Sequence, residues 1–130
     1  SAVWRAMLDV YERGGVIGGS SAGAMVVCDW IGLPPSWEPR QVGLELVRGA
    51  MVMPHFQESR LEQLEGRARA LPDGVAVLGI PEQSGLLGNG AAWEVVGPGP
   101  VVVAASGVVR SFSSGERIAS IQWSTGTRAP

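Results

Sequence analysis

The chain is 130 residues long, enough for one modest domain with its own core. Its formal net charge is −2 and only 17% of residues are charged, with no basic run or stripe, so a nucleic-acid surface is not expected. Apolar residues reach 45% without a window of about 18 uninterrupted ones, which argues against a membrane span, and a single cysteine (Cys28) beside a single histidine (His55) excludes an internal disulfide framework and the usual Cys/His zinc site.

The first residues, SAVWRAMLDVYERGG, read as an amphipathic helix. Trp4, Met7, Leu8 and Tyr11 recur at helical spacing, charged residues fill the other positions, and Gly14-Gly15 supplies a stop. No signal-peptide pattern is present, so the expected home is cytoplasmic. The opening on Ser1, directly in helical periodicity, suggests a piece of a longer or processed protein. VIGGS then reads as a short buried strand, and AGAMVVCDWI as a helix apolar almost all round. GLPPSWEPR, with its three prolines, is a loop. VGLELVRGAMVMPHF carries β-branched, partly alternating runs and is strand material.

Ser59 and Glu62 make a capping-box pattern ahead of a stripe of Leu61, Leu64, Ala68 and Leu71, so a third helix is expected, ending at Pro72-Asp73-Gly74. VAVLGI has the continuous apolar character of a covered parallel strand. After Pro81, Asn89-Gly90, Pro98-Gly99, Ser106-Gly107 and Ser114-Gly115 punctuate short β-rich runs, as in antiparallel hairpins. The expected fold class is α/β, a mostly parallel sheet sandwiched by helices with antiparallel hairpins at the C-terminal edge. Residues 1–123 are expected to form a single domain and residues 124–130 a tail.

The chemistry centres on Gly19-Ser20-Ser21-Ala22-Gly23, which fits G-x-S-x-G between an expected strand and an expected helix. A strand turning sharply into a helix strains its corner residue and needs small neighbours, here Gly19 and Gly23. Ser21 would then project as a nucleophile, with the Ala22 N–H as an oxyanion donor at the helix start. The loop lacks the lysine of a phosphate-binding P-loop and the spacing of a dinucleotide fingerprint. A serine nucleophile needs a base, and His55 is the one histidine, 34 residues on and at the expected end of a strand. A carboxylate should fix its tautomer. Asp29, Glu38 and Glu45 lie between the two; Glu38, in the proline-rich loop, is preferred. Cys28 reads as a small core residue.

GGSSAGAM, GLELVRGAMVMPHF and VLGIPEQSGLLGNGAAWEVVGPGPVVV together resemble the serine peptidases of the dipeptidase E and cyanophycinase type, over residues 3–105. The resemblance implies a fold like that of class I glutamine amidotransferases, with serine in place of their cysteine. It implies Ser21 as nucleophile, His55 as base, and a loop Asp or Glu between them, which suits Glu38. Glu82 falls at a G-I-x-E position of that pattern and receives no role. Met53-Pro54 before His55 places the chain closer to the dipeptidases than to the cyanophycinases. The resemblance also implies a further N-terminal portion, without which activity would be weak. The expected activity is hydrolysis of a small peptide or isopeptide bond, with no cofactor and no metal. Partners are expected to be a small peptide substrate, no nucleic acid and no membrane, and a homo-oligomer stays open. Two rivals remain: an α/β-hydrolase esterase, and a non-catalytic amidotransferase-like binding domain.

Overall fold

A computed structural model of the chain describes residues 1–119; the expected tail, residues 124–130, lies outside them. Helix α1 (Ala2–Glu12) is capped by Ser1, whose hydroxyl accepts the Trp4 N–H at 3.2 Å. Gly14, at φ 92°, turns the chain out of it. None of the α1 residues is buried, and Val3, Met7, Val10 and Tyr11 are exposed.

Residues 16–20, expected as a short buried strand, belong to no ladder among the described residues and are mostly exposed. The apolar run that follows is helical only over α2 (Ala22–Val26). It stops because the next residues bind a strand instead. Cys28 bridges Val47 in parallel, Trp30 N–H donates to Ala50 C=O, and Asp29 accepts the N–H groups of Gly49 and Ala50. A short antiparallel pair, β1 (Ile31–Gly32) and β2 (Pro39–Arg40), closes the proline-rich loop.

The central sheet holds β3 (Ala50–Pro54), β4 (Ala76–Ile80), β7 (Val101–Ala105) and β8 (Val108–Phe112), side by side in that order. Only β3 and β4 run parallel; β7 and β8 enter antiparallel. The expected mostly parallel sheet is therefore corrected to a mixed α/β fold whose sheet pairings are mostly antiparallel. The reason lies after Pro81. The residues between β4 and β7 form the β5–β6 hairpin in place of a crossover helix, and the chain returns beside β4 antiparallel. A second antiparallel sheet contains β5 (Gly85–Gly88), β6 (Ala92–Val96) and β9 (Arg117–Ala119).

Side-chain alternation divides the core in two. Met51, Met53, Val77 and Ala104 face α3 (Leu61–Ala70), joined by Phe56, Leu64 and Leu71. Ala50, Val52, Leu78, Val101 and Val103 face the other way, toward Val95, Ile118 and the apolar side of α2. The expected capping box does not form. Glu58–Arg60 makes a 3₁₀ turn, α3 starts at Leu61, and Ser59 lies inside the turn rather than at the cap. No described helix is long and apolar enough to cross a membrane.

Candidate active site

Ser21 stands at the corner where the chain enters α2, with φ 54° and ψ −117°. A non-glycine residue held there is strained, and such strain persists only where surrounding structure enforces it. Gly19 is part of that enforcement. A Cβ at Gly19 would fall on the Gly23 carbonyl oxygen and within 2.9 Å of the Ala24 nitrogen, so the corner closes only around a bare α-carbon. Gly23 differs: a Cβ there would meet nothing within 4 Å. Its place in the motif is not explained by crowding of its own Cβ. Ala22 is the first residue of α2, where a backbone N–H has no acceptor within the helix.

His55 follows the last residue of β3. Its own φ is 55°, and its loop is held on both flanks. Arg60 donates from Nη1 to the carbonyls of Pro54 (3.1 Å) and His55 (3.3 Å), and Phe56 N–H donates to Ile80 C=O at 3.1 Å. Phe56 then packs on Gly79, where a Cβ would lie 2.8 Å from the ring. The outcome is a contact of 2.9 Å between Ser21 Oγ and His55 Nε2. With the Nδ1–H tautomer, the serine hydroxyl donates to Nε2, the direction proton transfer requires.

The carboxylate at the other ring nitrogen belongs to Glu82. Its Oε1 lies 3.4 Å from His55 Nδ1, with the two side chains 58% and 76% exposed. Glu82 sits two residues beyond β4, in a turn closed by Ser84 N–H to Pro81 C=O. Ser84 Oγ accepts the Gly99 N–H at 2.7 Å, tying this turn to the β6–β7 connection. Because Pro54 and Ile80 are register partners in parallel strands, His55 and Glu82 leave neighbouring strand ends on the same edge of the sheet.

The structure places Glu82 at His55 Nδ1, and not Glu38, the acid preferred from the sequence. Its N–H takes Ser36 Oγ, and the next two residues pair with Ile31 and Gly32. Trp37, at φ 59°, lays its ring 5.5 Å from the Arg67 guanidinium on α3, drawing the loop to the helix side of the sheet. Asp29 is spent on the backbone of Gly49 and Ala50. Glu45 is exposed in a loop at φ 61°. The signal for Glu82 was present in the sequence: a carboxylate directly after a short apolar strand, where parallel strand ends carry functional side chains.

Ser21, His55 and Glu82 rim a cleft of about 490 Å³. Its floor includes Val52, Leu78 and Cys28, whose thiol is pushed up to about 12 by burial, with a smaller push from the Asp29 charge. A thiol so shifted is not a nucleophile at neutral pH. No group of three or more His, Cys, Asp or Glu able to hold a metal ion occurs among the described residues.

No family model matches the chain, and no curated protein matches it. Among solved structures, the chain is similar to a peptidase from an acI-B1 Actinobacterium, with TM-score 0.68 and 25% identity over 89% of this chain. The match takes in 50% of that protein, so the chain spans about half the length of its structural neighbour. A mixed α/β architecture shared with a peptidase, carrying a hydroxyl, an imidazole and a carboxylate in series, makes this a peptidase-like fold.

Proposed function

We propose that this protein is a serine-type peptidase that hydrolyses a small peptide or isopeptide bond through an acyl-enzyme on Ser21. The observation that carries the reading is the 2.9 Å contact between Ser21 Oγ and His55 Nε2, with Ser21 held at a strained corner leading into α2. Likeness to a solved peptidase supports it. So does the order of motifs by which the sequence resembles dipeptidase E and the cyanophycinases, with the class I amidotransferase-like lineage that resemblance carries.

The chemistry follows from the geometry. His55 Nε2 takes the hydroxyl proton as Ser21 Oγ attacks the scissile carbonyl carbon. The oxyanion that forms is stabilised by the Ala22 N–H. Glu82 faces Nδ1, holds the tautomer that leaves Nε2 free to accept, and stabilises the imidazolium. The intermediate collapses as His55 returns the proton to the leaving amine. Water, deprotonated by the same imidazole, then releases the acid and restores Ser21.

The α/β-hydrolase rival is disfavoured by topology. His55 follows β3 early in the chain, and after β4 the chain turns to hairpins rather than further parallel units. A fluorophosphonate probe on the full-length protein tests the proposal. Labelling that disappears in Ser21→Ala is expected. A folded protein that stays unlabelled would refute a serine hydrolase and favour the non-catalytic binding domain.

A further inference from the structure

We infer that the cleft behind Ser21 is a subsite for a bulky apolar side chain on the acyl side of the scissile bond. Its substrates would then carry a residue such as leucine, methionine or phenylalanine at that position. The inference rests on the serine-peptidase reading above and adds a substrate class to it.

Three observations lead there. The first is location. The cleft is lined by the segment that carries the nucleophile, from Val16 to Ser21, by Ala24 in α2, and also by Pro54, His55 and Glu82. The acyl carbon bonds to Ser21 Oγ, so the group attached to it lies nearest the nucleophile's own segment. The leaving amine belongs on the other side, toward His55, which must protonate it.

The second is size. A volume of about 490 Å³ falls within the range of small-ligand sites, well above what a single methyl group needs. The third is chemistry. Ile17, Leu46, Val47, Leu78, Leu86 and Trp93 contribute to the lining. No lysine or arginine lines the cleft among the described residues, and its one carboxylate, Glu82, faces His55. An acidic side chain entering here would lose its hydration without gaining a cationic partner. It would also approach the Glu82 charge. An apolar side chain has neither cost and gains burial.

An apolar and an acidic preference at this position are separable by experiment. Full-length protein is assayed with aminocoumarin substrates that share one leaving group and differ in the acyl residue: Leu, Phe, Ala, Asp and Arg. Leu and Phe should exceed Ala and Asp by about 10-fold or more in kcat/KM, the scale on which apolar pockets discriminate. Fluorophosphonate labelling of Ser21 is measured in parallel. A labelled enzyme whose profile is flat, or led by Asp or Arg, overturns the subsite and leaves the serine reading standing. A protein neither labelled nor hydrolysing any substrate overturns the serine reading, and the subsite with it.

A variant gives a second readout. Val16 is 81% exposed at the cleft wall, so Val16→Arg sacrifices little packing. It should reduce the Leu-over-Asp ratio about 10-fold by supplying the missing cation. An unchanged ratio in a labelled Val16→Arg protein overturns the inference.

Discussion

Replacing Glu82 by glutamine asks whether the carboxylate beside His55 takes part in catalysis. The substitution keeps the shape and removes the charge. The side chain is largely exposed, so folding should be unaffected. At 3.4 Å from Nδ1, a full charge on the imidazole interacts with the carboxylate by about 1 kcal/mol in water and about 5 kcal/mol at an effective dielectric of 20. The two side chains are 58% and 76% exposed, which places the pair between these limits and nearer water. An intermediate dielectric of roughly 50 gives about 2 kcal/mol, or about 30-fold. The imidazolium forms only as the reaction proceeds, so the loss should fall on kcat and leave KM nearly unchanged. That is smaller than the roughly 10⁴-fold loss for a buried triad acid, and the exposure is the reason. Steady-state kinetics on a preferred aminocoumarin substrate, with Glu38→Gln as comparison, measures it. Unchanged kcat in Glu82→Gln together with a drop in Glu38→Gln would refute the assignment.

Gly19→Ala should cut fluorophosphonate labelling at least about 10-fold and destabilise the protein by about 1–3 kcal/mol, because the new methyl has no space at the corner. Gly23→Ala, where space is open, should label normally, so equal damage from both would contradict the crowding account. Asp29→Ala orphans the N–H groups of Gly49 and Ala50 at the start of β3, and urea unfolding should show a loss of about 3 kcal/mol. Cys28, raised from an ordinary value of 9.0 to about 12, keeps its proton in the folded protein. Its unfolded counterpart ionises first, so this contribution to stability is intact below pH 9 and falls as pH rises from 9 toward 12. Iodoacetamide at pH 8 should therefore modify Cys28 only after denaturation.

Much of this site was legible because its chemistry compresses into local pattern. Gly19 and Ser21 occupy a motif whose spacing reflects one strained corner, and a single histidine leaves no competition for the base. The VAVLGI strand and the β5–β6 and β7–β8 hairpins were legible from apolar runs and turn residues, whereas Pro98-Gly99 and Ser114-Gly115 join strands of different sheets instead of closing hairpins. The carboxylate beside His55 was not, because its partnership is set by sheet register. Whether Glu38 or Glu82 meets His55 depends on β3 and β4 being parallel neighbours that end together, and on Trp37 carrying the proline-rich loop to α3. Neither is a property of local spacing. The helix over AGAMVVCDWI was overextended for a related reason. Asp29 gains two backbone N–H bonds by leaving helical geometry, an alternative that periodicity does not register.

The paired ends of β3 and β4 also divide the Ser21–His55–Glu82 series by what anchors each member. His55 and Glu82 are mounted on adjacent rails of one hydrogen-bonded ladder, so sliding or tilting the sheet carries both together. Ser21 is mounted at the far end of a lever, reaching that ladder through α2 and the bonds of residues 26–30. The Ser21–His55 contact therefore joins two separately anchored segments, whereas the His55–Glu82 contact lies between the ends of one strand pair.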